Sequence, residues 1–252
     1  MLEQLIASVA DKKAELDRLR PRSFGALTNL EYAHNLELTY TSNAIEGNTL
    51  TQIETSLVIE QGITIGGKPL RDHLEAVDHF EALAYVRELA GRKSRLSEHD
   101  VRSLHALVLR RSDPVLAGGY ATANRYVNTD YGRHAFPTPA QVRPLMGDFS
   151  AWLQDAGASP ETAFTAHRRL VDIHPFNDGN GRTARLLMNL LLIRGGYPPV
   201  AVRPEDRLRY LSALQDAQAG KGDEDFLRLL FERLDATLDE YLIALRQASP
   251  SD

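Results

Sequence analysis

The sequence predicts a mainly α-helical fold with one short β-hairpin. Apolar residues recur with the helical period over most of the 252 residues, and these segments begin at cap residues and end at glycines. A single stretch, residues 118–136, lacks that period. With 43% hydrophobic residues, the chain can bury a core without covalent cross-links.

Cap residues mark the starts of the predicted helices. Thr51 with Glu54 forms a capping box before QIETSLVIEQ, and Gly62 can end that helix. Ser97 with Asp100 opens the helix through HDVRSLHALVL in the same way. The later starts are Thr138-Pro139, Ser159-Pro160 and Pro204. One apolar face of the last helix comprises Phe226, Leu229, Leu230, Leu234, Leu238 and Tyr241.

The region without helical period reads GGYATANRYVNTDYGRHAF, a mixture of glycine, tyrosine, valine and asparagine that favours a hairpin or flap. The loop at 62–68, GITIGGK, is the predicted seam between two parts of the chain. We therefore expect an N-terminal helical part over residues 1–92 and a second part over 93–252, with one compact unit as the alternative.

Charge and composition exclude several classes of protein. The net charge of -5 gives no basic footprint for nucleic acid or for an anionic membrane surface. No apolar run approaches the roughly 20 residues that span a bilayer. The absence of cysteine excludes disulfides and thiolate metal sites and suits a reducing compartment. Because the N-terminal segment also lacks the pattern of a signal peptide, we expect a soluble cytoplasmic protein.

Twelve residues, HPFNDGNGRTAR at 174–185, concentrate the candidate chemistry. Pro175 disfavours helix at His174, so one helix should end there. The turn formers at 177–181 then lead into a strongly apolar helix. A helix start that follows glycines presents unpaired N–H groups and the positive end of the helix dipole. The segment therefore predicts an anion site, with phosphate as the natural ligand.

The side chains of this segment extend that prediction to a reaction. Arg182 and Arg185 are three residues apart on the first turn and share a face, so both can bind phosphate oxygens. Asp178 would repel phosphate unless Mg2+ lay between them. His174 is neutral at neutral pH unless its pKa is perturbed, and it can accept a proton from a hydroxyl. The pattern indicates attack of a hydroxyl on a nucleotide phosphate.

HPFNDGNGRTAR also resembles the signature of the Fic family, and it meets every fixed position of that signature. The resemblance runs from about Leu30 to the last helix. It implies a mainly α, Fic-type helical bundle with a catalytic core over residues 93–252. The implied activity is transfer of AMP from ATP to a Ser, Thr or Tyr hydroxyl of a target protein, with Mg2+ as cofactor. It also implies weak homodimerisation.

The resemblance implies a role for each matching residue. His174 resembles the general base, and Asp178 resembles the Mg2+ ligand. Arg185 resembles the partner of the γ-phosphate. The implied anion hole around the inner phosphates comprises Gly179, Asn180 and Gly181, with Arg182 as a further phosphate contact.

Two further regions resemble parts of the family. The stretch from Asn128 to Phe136 is similar in place to a flap that clamps the target segment and covers the nucleotide. Within it, Gly132, Arg133 and His134 are expected nearest the nucleotide. Tyr210 resembles a residue on the adenine side of the site, although a tyrosine on an amphipathic helix also suits the core.

A third match lies at 41–48, TSNAIEGN, where Ser42, Glu46 and Gly47 are similar to an inhibitory motif on an N-terminal helix. By itself this pattern describes a helix that ends at glycine. A glutamate placed against Arg185 would form a charge-assisted pair and deprive the γ-phosphate of its partner. The resemblance therefore implies a self-inhibited adenylyltransferase.

Alternative functions remain open from the sequence. Removal of AMP from a modified protein would use the same pocket, with Glu46 positioning water. Transfer of UMP or phosphocholine also fits the motif, whereas Gly181 argues against relatives that transfer phosphate. A catalytically silent ATP-responsive binding module is a non-enzymatic alternative. A P-loop is not supported, because GGK at 66–68 is followed by proline.

Overall fold

The computed structural model describes residues 2–19 and 24–248, and it confirms the mainly α-helical fold. Within these residues it contains ten α-helices and one two-stranded antiparallel sheet. The helices before the sheet are α1 (Leu2–Leu19), α2 (Phe24–Ile45), α3 (Gln52–Gln61), α4 (Leu70–Gly91) and α5 (Glu98–Val108). The helices after it are α6 (Pro139–Asp155), α7 (Pro160–Ile173), α8 (Asn180–Arg194), α9 (Arg207–Gln218) and α10 (Glu224–Ala248).

The predicted caps form at the starts of these helices. Thr51 and Ser97 each accept from a backbone N–H of the first turn and complete the expected capping boxes. Ser159 accepts from Thr162 N before α7. Gly62 ends α3 in the left-handed conformation, as predicted, with φ 64°. The region after Pro204 begins as a short 3-10 turn, Pro204–Asp206, and continues as α9.

Helix α8 lies at the centre of the bundle, and every residue from Arg182 to Leu192 is buried. It packs against α7 and α4, while α1 runs along α10. A helix that is buried on all sides is a core helix, and its last two turns are accordingly almost wholly apolar. Residues before and after position 92 contribute to one continuous hydrophobic core. None of the described helices combines the length and apolarity needed to cross a membrane.

The hairpin consists of β1 (Tyr126–Thr129) and β2 (Gly132–Ala135). It therefore begins two residues before the predicted flap start at Asn128. The turn between the strands contacts the end of α9: Tyr131 Oη donates to Asp216 Oδ1 at 2.5 Å, and Asp130 N donates to Gln215 Oε1 at 3.2 Å. These contacts hold the hairpin across the space between α7 and α9.

Candidate functional site

His174 lies directly after α7 in the left-handed conformation, with φ 48° and ψ 56°. It is the one non-glycine residue with positive φ in the described part of the chain. Its imidazole stacks on the ring of Phe136, with 3.8 Å between centroids. Nδ1 lies 3.3 Å from the carbonyl oxygen of Val171 and must be the donor there. Nε2 then carries the lone pair and is the nitrogen that can accept a proton.

Burial lowers the pKa of His174 to about 4, although the bond to the Val171 carbonyl opposes this shift. The positive charge of Arg125 lowers the pKa further. A neutral imidazole is therefore the form present at pH 7. That is the protonation state that a general base requires.

The loop between α7 and α8 is shaped by Asn180. Its Oδ1 accepts from Phe176 N at 2.9 Å, and its Nδ2 donates to Phe176 O at 2.8 Å. The Asn180 side chain thus folds the loop and leaves any anion contact to the backbone. Gly179 has φ 75°, and a Cβ there would lie 3.3 Å from His105, so both its backbone angle and its neighbour favour glycine.

His105, on α5, supports the loop from below and was not predicted from the sequence. Its ring stacks on Phe176 at 3.6 Å between centroids. Because its Nδ1 accepts from Gly118 N at 2.9 Å, its Nε2 must donate to Asp178 O, also at 2.9 Å. Burial lowers the pKa of His105 to about 4, which keeps this tautomer neutral. The only sequence signal was a histidine on the apolar face of α5, which is ordinarily a packing position.

Asp178 presents an ionised carboxylate at the start of α8. Burial alone would raise its pKa, but the charge of Arg182, the Gly179 N–H and Arg71 together lower it. Oδ1 accepts from Gly179 N at 2.6 Å, and Oδ2 accepts from Arg71 Nη2 at 2.7 Å. A partly exposed, ionised carboxylate beside an anion site is the donor that Mg2+ takes together with phosphate oxygens. The residue therefore fits the metal-ligand role that the sequence predicts.

Arg182 does not turn towards Arg185. Its side chain is only 2% exposed and lies 3.2 Å from Glu75 Oε1 and 3.4 Å from Asp178 Oδ1. The two guanidinium groups therefore have different partners here, and the phosphate contact expected of Arg182 stays a prediction. The physical reason is the pair of carboxylates, which attract Arg182 towards α4.

Arg185 is held by Ser42 and Glu46. Its Nε donates to Ser42 Oγ at 3.0 Å, and its Nη2 donates to Ser42 O at 2.9 Å and to Glu46 Oε1 at 2.7 Å. Behind it, Nη1 lies 3.5 Å from Tyr210 Oη, which bonds to His167 Nε2 at 2.8 Å. Tyr210 is 1% exposed, so it supports Arg185 from the core side.

Glu46 lies against the first turn of α8. It follows the end of α2, and Gly47 after it has φ 97°, which favours glycine. A methyl group added at Gly181 would overlap Glu46 Oε1. The carboxylate therefore lies beside Gly181 in the first turn of α8 and is bound by Arg185.

Glu46, His174 and Arg185 line one cavity of about 530 Å³, whereas Asp178 and Arg182 are not among its lining residues. Its lining includes Glu46, Arg125, Tyr126, Val127, Phe136, His174, Gly181, Arg185, Arg207, Tyr210, Leu211 and Leu214. Gly132, Arg133 and His134 are not among the lining residues, because the outer end of the hairpin faces a separate cavity of about 160 Å³ beside α9. The place of these three residues beside the nucleotide stays a prediction. The sequence did not point to two arginines of the lining, Arg125 and Arg207.

The fold and the cavity define a helical protein with an anion site beside a neutral histidine, and comparison with known proteins identifies the family. Residues 95–192 match the Fic/DOC family. The chain is 36% identical to Protein adenylyltransferase Fic of Aedes aegypti, covering 89% of this chain and 45% of that protein. It is 34% identical to Protein adenylyltransferase fic-1 of Caenorhabditis elegans, covering 98% of this chain and 48% of that protein. The chain thus spans about half the length of these curated relatives.

Solved structures agree with this comparison. A fragment of Fic-1 from C. elegans superposes with a TM-score of 0.84 at 33% identity, covering 96% of this chain and 71% of that chain. A Fic domain containing signaling protein from Bacteroides thetaiotaomicron superposes with a TM-score of 0.87 at 28% identity, covering 97% and 99%. The chain belongs to the Fic/DOC family.

Proposed function

We propose that the chain is a protein adenylyltransferase that moves AMP from ATP to a Ser, Thr or Tyr hydroxyl of a target protein. The observation that carries this proposal is the neutral His174, which lines the same cavity as Gly181 and Arg185 at the start of α8. The names of the curated relatives support the same activity.

In the proposed reaction, His174 Nε2 accepts the proton of the target hydroxyl. The hydroxyl oxygen attacks the α-phosphorus of ATP, and the bond from that phosphorus to the pyrophosphate oxygen breaks. The unpaired N–H groups of the first turn of α8 and its dipole stabilise the charge on the phosphates. Asp178 would hold Mg2+, which neutralises phosphate charge when bound. Product release leaves AMP on the target and pyrophosphate in solution.

The contact between Glu46 and Arg185 supports self-inhibition. Arg185 would bind the γ-phosphate, but in this structure its Nη2 donates to Glu46 at 2.7 Å. The carboxylate also lies close to Gly181, so it competes with phosphate for Arg185 and for the space beside the first turn of α8. A triphosphate that enters past Glu46 would sit out of line for attack on its α-phosphorus.

The hairpin is the proposed clamp for the target segment and the cover of the nucleotide. Tyr126 and Val127 are exposed and line the cavity, so the β1 side faces the nucleotide. In this proposal Gly132, Arg133 and His134 lie on the outer side of the clamp, beside α9. We assign Tyr210 an indirect role, in which it holds Arg185. The lack of cysteine suits action in the cytoplasm, and a weak homodimer is part of the proposal.

The test compares ATP labelled on the α-phosphate with ATP labelled on the γ-phosphate, each with Mg2+ and cell lysate. The Glu46→Gly protein should transfer label to protein from the α-position only, and His174→Ala in that background should abolish the transfer. His99→Ala is the matched control, because His99 is an exposed histidine on α5. Label from the γ-position would instead indicate phosphate transfer. Release of AMP from a modified substrate, without incorporation, would favour the removal reaction.

A further inference from the structure

Four charged side chains form a closed ring where α4 meets the start of α8. Arg71 Nη2 donates to Asp178 Oδ2 at 2.7 Å, and Arg71 Nε donates to Glu75 Oε1 at 3.0 Å. Arg182 closes the ring on the other side, 3.2 Å from Glu75 Oε1 and 3.4 Å from Asp178 Oδ1. Two cations and two anions therefore alternate, and their formal charges cancel.

Each carboxylate oxygen of Asp178 accepts a hydrogen bond. Oδ1 accepts from the Gly179 N–H at 2.6 Å, and Oδ2 is bound by Arg71. A cation that approached Oδ2 would meet the guanidinium group already bound there. Two positive charges at one carboxylate oxygen repel each other, so the Arg71 guanidinium group weakens the binding of a metal cation there.

We propose that Arg71 is an internal stand-in for the divalent cation: it binds Oδ2 of Asp178 and has to leave when a metal ion binds there. This inference rests on the proposed function, which assigns Asp178 as the metal ligand. Arg71 is then a positioning residue that sets the affinity of the site for metal. When no metal is bound, the guanidinium group of Arg71 neutralises the charge of the Asp178 carboxylate.

The differing exposure of the two arginines identifies Arg71 as the member that moves. The Arg71 side chain is 55% exposed at the start of α4, whereas that of Arg182 is 2% exposed. Arg71 can keep its Nε bond to Glu75 while Nη2 turns away from Asp178. Glu75 itself is fixed, because its Oε2 accepts from Asn48 Nδ2 at 3.1 Å. Asn48 lies two residues after Glu46, so the inhibitory segment contacts the carboxylate that orients Arg71.

The experiment measures Mn2+ binding from the electron paramagnetic resonance signal of free Mn2+, with α,β-methylene ATP bound to protein carrying Glu46→Gly. Binding of Mn2+ to the analogue alone is subtracted. Arg71→Gln should bind Mn2+ about fivefold more tightly, the upper range for a partly exposed ion pair. The concentration of Mg2+ that gives half-maximal rate should fall by a similar factor.

Two control variants separate the inference from the proposed function. Lys68→Gln removes the same charge three residues earlier, where the lysine binds Thr49 O and not Asp178, so Mn2+ affinity should not change. Asp178→Asn should abolish the tight Mn2+ site. If Asp178→Asn weakens Mn2+ binding but Arg71→Gln leaves it unchanged or weaker, the stand-in role is wrong and the proposed metal role stands. If Asp178→Asn leaves Mn2+ binding unchanged, both the stand-in role of Arg71 and the metal-ligand role of Asp178 are wrong. The proposed AMP transfer is tested separately, by the activity of the Glu46→Gly protein.

Discussion

Glu46 Oε1 accepts a hydrogen bond from Arg185 Nη2 at 2.7 Å across 139 positions of the chain. Ser42, one helical turn before Glu46, binds the same guanidinium group through its hydroxyl and its carbonyl oxygen. Arg185 is therefore bound through Nε and Nη2 by α2 and its C-terminal extension. The end of one N-terminal helix thus reaches the anion site at the start of α8.

Replacement of Glu46 by glycine should raise AMP transfer by roughly tenfold or more, which corresponds to a barrier lowered by about 1.4 kcal/mol. The reason is that Arg185 and the N–H groups near Gly181 become free for phosphate. Incorporation of α-labelled AMP into protein measures the change. Glu60→Gly, a surface glutamate on α3, is the control. Equal rates for the wild type and Glu46→Gly would refute self-inhibition.

Replacement of His105 by alanine should lower the free energy of unfolding by about 3 kcal/mol. The ring stack on Phe176 is lost, and Gly118 N and Asp178 O lose their buried partner. Urea denaturation measures the change. His99→Ala on the same helix should change stability by less than about 0.5 kcal/mol. A similar loss in both variants would show that His105 has no special role in the loop.

The rate of AMP transfer should stay constant from pH 8 down to about pH 5. The pKa of His174 is lowered to about 4, so the base is neutral over this range and becomes protonated only as the pH falls through that value. Initial rates of the Glu46→Gly protein, taken where circular dichroism shows it folded, measure this profile. An acid limb centred near the usual histidine pKa of about 6.5 would contradict the assignment.

Stability should fall with acidity below about pH 6.5, in part because of His167. Burial, followed by the charge of Arg185, lowers its pKa to about 3. Its folded pKa lies below its unfolded value, so the unfolded chain takes up the proton first as the pH falls. The loss is about 1.4 kcal/mol per pH unit for this histidine. His167→Gln should reduce the slope of unfolding free energy against pH by that amount, and an unchanged slope in this variant would contradict the prediction.

Local patterns predicted much of this fold. The caps at Thr51, Ser97 and Ser159 act within a few residues, so sequence alone identifies them. Pro175 likewise ended α7 just before His174. The contact of Glu46 with Arg185 was expected from resemblance, because an isolated helix end carries no such information.

The features that the sequence did not predict depend on distant elements. Arg71 meets Asp178 across 107 positions, and His105 meets it across 73. Helical spacing placed Arg182 beside Arg185, but spacing contains no information about Glu75 on another helix. The hairpin lies within the predicted region, but its two strands could not be delimited because its turn, Asp130-Tyr131, lacks the asparagine-glycine pair that usually marks such turns.

We expect the start of α8 to place the α-phosphate of ATP before His174, and a crystal structure of the Glu46→Gly protein with α,β-methylene ATP and Mg2+ tests this expectation. The triphosphate should lie along Gly181 and Arg185, with Asp178 on the metal. His174 Nε2 should then lie within hydrogen-bond reach, about 3 Å, of the hydroxyl oxygen position in line with the α-phosphorus. A nucleotide bound elsewhere, or an α-phosphate remote from His174, would contradict the account.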